Sequence, residues 1–290
     1  MDSNYPANPL KETFRSMAST LPPRDWTEIR WPEISAASPE RWIAVLPLAA
    51  TEQHGPHLPL GTDVMIAQAY LARVRELLPD TLPVTFLPVQ PVGISTEHIG
   101  HPGTLTLPTE VALKSWMALG ESVARAGIRK LVMVTSHGGN SAAMTLVAQD
   151  LRAQYGLLAV TTGWSRFGAP EGLFSAEELR HGIHGGAVET SIMLARYAEH
   201  VRLDAVADFR PASIAMEEDF RWLSTQRPAP FAWQIQDLHE SGAAGDATLA
   251  SAQKGEKLLD HGARAFCELL EDVDNFDVKR LVGGPQNSLK

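Results

Sequence analysis

The run Leu131-Val132-Met133-Val134-Thr135 constrains the chain more than any other stretch. Apolar or β-branched residues in unbroken succession leave no polar face, so the segment suits a strand buried on both sides of a parallel sheet. Its neighbours repeat the theme. Trp42 to Leu48, Val84 to Val89 and Leu157 to Thr162 are further short apolar runs. Between them apolar residues recur at helical spacing, first as Val64, Ala67, Leu71, Val74 and Leu78. The second such stripe is Leu113, Trp116, Met117, Gly120, Val123 and Ala124, closed by Gly127 as a C-terminal stop. Further helices are expected from about Ser141 to Tyr155, from about Ala187 to Ala198, and from near Ala247 through Ala252, Leu259, Ala263, Phe266 and Leu270. Strand and helix alternating in this way imply an α/β fold, a parallel sheet covered by helices on both faces.

The 290 residues can bury a substantial core without disulfides, and the single cysteine, Cys267, reads as a packed thiol on a helix. A formal charge of −9 gives no attraction to nucleic-acid phosphates or anionic lipid, so neither is an expected partner. No stretch approaches the roughly 18 apolar residues of a membrane span, and no basic segment followed by an apolar one opens the chain, so a cytoplasmic protein is expected. Residues 1–38, with Pro6, Pro9, Pro22, Pro23 and Pro32, read as an N-terminal arm, 39–275 as one domain, and 276–290 as a tail.

In such a sheet ligands gather at the C-terminal strand ends. Four segments place metal-ligand side chains there or at a helix start: Glu52, His54 and Asp63; Glu97, His98 and His101; His137; and His181, His184 and Glu189. Extended geometry after Trp42–Leu48 would aim Glu52 and His54 to one side, because side chains alternate with a period of two. Pro56, Pro59 and Gly61 then let the chain fold back to bring Asp63 to the same spot. Imidazole and carboxylate ligands without cysteine suit zinc, manganese or iron. Three carboxylates and two histidines suffice for two ions sharing a carboxylate, and two ions about 3.5–4 Å apart can hold a hydroxide that attacks an amide.

Thr51-Glu52-Gln53-His54-Gly55-Pro56-His57-Leu58-Pro59-Leu60-Gly61-Thr62-Asp63, Ser136-His137-Gly138-Gly139-Asn140 and His184-Gly185-Gly186-Ala187-Val188-Glu189-Thr190-Ser191 resemble the three signature segments of the creatininase (creatinine amidohydrolase) family. Weaker likeness lies in Gly93 to His98, His101 to Thr104 and Gly245 to Ala250. The resemblance implies a three-layer α/β/α sandwich with a mostly parallel central sheet, two divalent metal ions per chain, and a homo-oligomer, in relatives commonly a hexamer. It casts Glu52, Asp63 and His137 as ligands of one ion, His54, Asp63 and Glu189 as ligands of the other, and His184 as the proton shuttle. It departs at Gly139, where creatinine-hydrolysing members carry a glutamate. The branch with His-Gly-Gly-Asn cleaves other amides, including formamides and peptide-like bonds.

The expected activity is therefore metal-dependent hydrolysis of a small cyclic amide or another non-peptide carbon–nitrogen bond, with formamide or peptide-like amide hydrolysis as the alternative. Ser95, Glu97 and His98 on a long loop are candidate substrate contacts, and Trp164, just after a strand, a candidate aromatic wall. His57 and His181 flank the site, and Asp246 reads as the N-cap of the last helix. A phosphoesterase would need basic residues near these motifs, which are scarce. A non-catalytic metal-dependent binding protein is the reading from another class. A serine or cysteine hydrolase is disfavoured, since there is no Gly-x-Ser-x-Gly elbow.

Overall fold

The computed structural model describes residues 21–283. Strands β1 (Ile43–Leu48), β2 (Val84–Phe86), β3 (Lys130–Thr135) and β4 (Leu158–Gly163) form one sheet in the order β2-β1-β3-β4, every pair parallel. β2 is shorter than the apolar run suggests. Leu87 N still donates to Val45 O, but the next bond, to Pro47 O, comes from Gln90 N, three residues on where a regular ladder would use two, so the pairing slips and the strand ends.

Nine α-helices surround the sheet among the described residues: α1 (Trp31–Ala36), α2 (Thr62–Leu77), α3 (Thr109–Arg125), α4 (Ser141–Tyr155), α5 (Ala176–His181), α6 (Ala187–Arg196), α7 (Ser213–Asp219), α8 (Ile235–Leu238) and α9 (Ala252–Asn275). Side-chain alternation along β1 and β3 sorts the core into two layers. Ile43, Val45, Val132 and Val134 face α2, α6 and α9, whereas Ala44, Leu46, Leu48, Leu131 and Met133 face α3 and α4. The result is the α/β/α sandwich with a parallel centre. Helices α6 and α9 pack backbone to backbone, because a Cβ at Gly255 would overlap the Ser191 carbonyl.

Two smaller expectations, the cap and the start of the last helix, meet the structure differently. The last helix is capped by Ser251, whose hydroxyl accepts from Lys254 N, while Asp246 caps only the short 3-10 turn Ala247–Leu249. The expected helix from Ala247 is thus interrupted before α9. The described part of the proline-rich arm is docked: Arg24 reaches the carbonyls of Pro79, Leu82 and Val84, and Phe86 N donates to Arg24 O, covering the β2 edge. Pro6, Pro9 and the last residues of the tail, 284–290, lie outside the described residues. Cys267 is buried, with its thiol pushed up to about 11 by burial, and is a packed core group. Among the described residues no helix is long and apolar enough to cross a membrane.

Candidate metal centre

The chain passes from β1 to β2 on one side, then crosses over to β3 and β4 on the other, which opens a crevice at the carboxyl ends of β1 and β3. Leu48 and Thr135 end the two strands in register, so Glu52 and His137 are delivered side by side. Asn140 clamps this corner. Its Oδ1 accepts from Ile94 N at 3.0 Å, and its Nδ2 donates to Ala49 O at 3.1 Å and Thr135 Oγ1 at 3.2 Å. The segment after β1 closes on itself through Glu52 N to Leu60 O at 2.9 Å, and Thr62 N bonds Pro59 O. That return places Asp63 in the first turn of α2, beside Glu52.

From the other side, His184 pairs through its backbone with Ala244, and Gly185, at φ +65°, turns the chain into α6. Glu189 projects from the first turn of α6, and its Oε2 accepts from Gly185 N at 2.6 Å. Histidine and glutamate therefore reach the crevice from a loop and a helix respectively.

One ligand atom each from Glu52, Asp63 and His137 lies within 4.8 Å of the others, and the same holds for His54, Asp63 and Glu189 and for Glu52, His54 and His184. Both Glu52 carboxylate oxygens, Asp63 Oδ2 and His54 Nε2 are buried without a hydrogen-bond partner. His137 Nδ1 comes within 3.1 Å of Glu52 Oε1, but without hydrogen-bond directionality. Buried polar groups are seldom left bare, and groups that face one another in this state suit a cation.

Outer contacts fix which ring nitrogen faces inward. His137 Nε2 donates to Ile94 O at 2.7 Å and His54 Nδ1 to Glu52 O at 3.1 Å. In the neutral rings that leaves His137 Nδ1 and His54 Nε2 to offer lone pairs, the arrangement typical of metal-binding histidines. His184 Nε2 donates to Gln53 O at 2.6 Å, so its bare Nδ1 faces Glu52 Oε1 at 3.8 Å.

The protonation pattern shows a site with surplus negative charge. Burial alone would raise the Glu52 carboxyl, yet the imidazoles of His137, His98 and His184 hold it well below the usual carboxylate range. Asp63 goes the other way, raised by burial and then by the Glu52 and Glu189 carboxylates. Burial disfavours the His137 cation, but Glu52, Asp63 and Glu97 outweigh it and hold its pKa at about 10. Without a metal, protons do the neutralising. His184 is lowered well below 6.5 by burial and by His54 and His98, so it is neutral and able to accept a proton.

The remaining candidates are brought in unequally. His98 stacks on His184 with ring centroids 4.0 Å apart, and its Nε2 lies 3.4 Å from Glu52 Oε1. Glu97 Oε1 is 3.4 Å from His137 Nε2. Ser95 is fully buried, with its backbone N bonded to Thr106 Oγ1 and its own Oγ unpartnered. Trp164 is buried; it stacks on Tyr70 of α2 at 4.4 Å and against Phe266 of α9, which packs its ring between two helices. His57 bonds Thr190 Oγ1 and stacks on Phe209, His181 bonds Ser213 Oγ, and His101 faces Glu240 O.

Two residues at the site had no assigned part in the sequence reading. Gln53 bonds His98 and Gly242 O. Glu178 is buried and accepts from Ala187 N and Asp246 N, tying the start of α6 to the Gly245–Asp246 strand. Gln53 lay inside the metal motif but on the alternate side of the extended segment, where the period-two argument gives it no ligand role.

Residues 27–270 match the family model described as Creatininase: Creatinine amidohydrolase. The chain is 30% identical over 269 residues to a mycofactocin precursor peptide peptidase of Mycobacterium ulcerans, covering 88% of this chain and 92% of that protein. It is likewise 30% identical over 262 residues to a creatinine amidohydrolase of Pseudomonas putida, covering 84% and 95%. A solved structure described as manganese creatininase superposes with a TM-score of 0.70 at 23% identity, covering 88% of this chain and all of the other. With its sheet order, its crevice and its match over residues 27–270, the chain belongs to the creatininase family of amidohydrolases.

Proposed function

We propose that the chain is a dinuclear metal-dependent amidohydrolase. Glu52, Asp63 and His137 hold one divalent ion, and His54, Asp63 and Glu189 hold the other, with Asp63 shared. The observation that carries this reading is the set of buried, unpartnered ligand atoms of Glu52, His54 and Asp63 facing one another. Zinc, manganese and iron suit the donors, and the manganese named for the creatininase structure falls in that range.

Two divalent ions at such a site supply Lewis acidity and activate water at neutral pH. The chain's own residues supply the rest. His184, neutral and with its Nε2–H committed to Gln53 O, offers Nδ1 to take a proton from the attacking water and to return it to the leaving nitrogen. Glu52 and Asp63 are nearly inaccessible to solvent, so their charges act with little screening by water.

The bond cleaved is that of a small cyclic amide or another non-peptide carbon–nitrogen bond. A second reading, a peptide-like amide, is favoured by Gly139. A Cβ there would fall 2.5 Å from Glu97 Oε1, His137 Nε2 and Ile94 O, so the glutamate of creatinine-hydrolysing members has no room. The peptidase relative supports the same reading. Protein purified without chelator should carry about two equivalents of zinc, manganese or iron, and Asp63→Ala should lose both. Creatinine, lactams, N-formyl compounds and short peptides would then rank the substrates. A folded protein that binds none of the three metals and cleaves nothing in their presence would overturn the proposal and leave a binding protein in its place.

A further inference from the structure

Gln53 sits beneath two stacked imidazoles that face the same carboxylate. Its side-chain amide orientation is settled by backbone groups. Oε1 accepts from Gly55 N at 3.0 Å and Nε2 donates to Gly242 O at 2.7 Å; a flipped amide would set oxygen against carbonyl oxygen and N–H against N–H. The position is closed around it, since a Cβ on Gly242, which has φ +81°, would collide with Gln53 Oε1.

The consequence falls on His98. Gln53 Nε2 has one further hydrogen, and His98 Nδ1 lies 2.9 Å away. An amide N–H there requires Nδ1 to be the acceptor, so the proton of neutral His98 is on Nε2, 3.4 Å from Glu52 Oε1. The backbone of the same residue fixes His184 oppositely, taking its Nε2–H on Gln53 O and leaving Nδ1 bare. One residue thus makes a donor of one ring and an acceptor of the other.

We propose that Gln53 is a positioning residue that locks His98 in the tautomer whose Nε2–H faces Glu52 Oε1, so that this N–H is poised to orient the carboxylate when it serves as a metal ligand. This rests on the dinuclear reading above, but its first half concerns the metal-free protein alone. Outer-shell partners of ligating carboxylates commonly act in this way. His184 is left to accept protons without competition from its stacked neighbour.

The test begins with the ring ¹⁵N shifts of His98 in the full-length, metal-free protein. The wild type should show a bare Nδ1 and a protonated Nε2. Gln53→Glu, which presents an acceptor, should move the proton to Nδ1, and Gln53→Met should leave the tautomers mixed. Zinc affinity, measured by chelator competition, should fall about 10–100-fold in Gln53→Glu, the usual cost of losing an outer-shell partner. His98→Gln, which keeps a side-chain N–H, should restore most of the affinity that His98→Phe loses, and matched melting temperatures separate this from unfolding. A wild type protonated on Nδ1, or a Gln53→Glu variant with unchanged shifts, overturns the tautomer lock even if amides are hydrolysed. Shifts that move while zinc affinity does not would overturn the link to Glu52. Failure to hydrolyse any amide would leave the shifts as found and strike only the functional reading.

Discussion

Asp63 is the residue at which stability and metal binding should oppose each other most openly. It is 1% exposed, its Oδ2 has no hydrogen-bond partner, and it lies in ligand range of both groups proposed to hold metal. In the metal-free protein burial, Glu52 and Glu189 raise its pKa well above the ordinary value. A carboxyl raised in the fold gives up its proton more readily when unfolded, so above the unfolded pKa near 3.9 it works against folding. Asp63→Asn mimics the protonated acid at the same volume. In chelator at neutral pH the variant is therefore expected to melt higher than the wild type.

With metal the sign reverses. A site with free ion at 100 times its Kd adds about 2.7 kcal/mol, and because both sites use Asp63 the variant forfeits roughly 5 kcal/mol. In a chain of this size that corresponds to about 10–20 °C in melting temperature. Thermal melts of wild type and Asp63→Asn, each in chelator and across a zinc titration, read both effects. A variant that melts below the wild type in chelator would refute the charge argument. One that keeps the full zinc-dependent rise would refute the shared-ligand geometry.

Other expectations can be checked separately. Because His137 holds its proton up to about 10 and Asp63 is raised as well, zinc loading at pH 7.5 should expel protons, and calorimetry in buffers of different ionisation enthalpy should find net release; none would break the linkage. His57, lowered to about 4 chiefly by burial, is neutral in the fold, whereas the unfolded chain protonates near 6.5. Its contribution to stability is therefore complete above pH 6.5 and falls away toward pH 4, by up to about 3 kcal/mol, and the acid limb of a urea-stability profile should flatten in His57→Gln. His184→Ala should remain folded and metal-loaded while kcat falls by about 10²–10⁴-fold, and full turnover would remove its proton-shuttling role. Trp164→Phe should lower the melting temperature through lost stacking on Tyr70 and leave KM unchanged, since the ring packs in the core; a shifted KM with unchanged stability would return it to the site.

What could be read from sequence follows from how far each feature depends on distant residues. β1 and β3 were legible because each is buried on both faces along a short unbroken run, Ile43 to Leu48 in β1 and Leu131 to Thr135 in β3. The Glu52, His54 and Asp63 cluster was legible for the same reason, since a strand end, two prolines and a glycine fold it locally. The packing of Trp164 was not legible, because its position after β4 is visible in sequence whereas Tyr70 and Phe266, on which it stacks, are distant. Gln53 and Glu178 gave no signal, because the partners that define them are Gly242, 189 residues away, and Asp246, 68 residues away. The division has a chemical consequence. Which atoms can bind a metal is set by short segments, but which ring nitrogen carries the proton is set by carbonyls and amides brought in from elsewhere: Ile94 O for His137, Gln53 O for His184, and Gln53 Nε2 for His98. A chain could keep every ligand and still lose the site's protonation pattern through a single change at Gln53 or Gly242, residues with no place among the metal ligands.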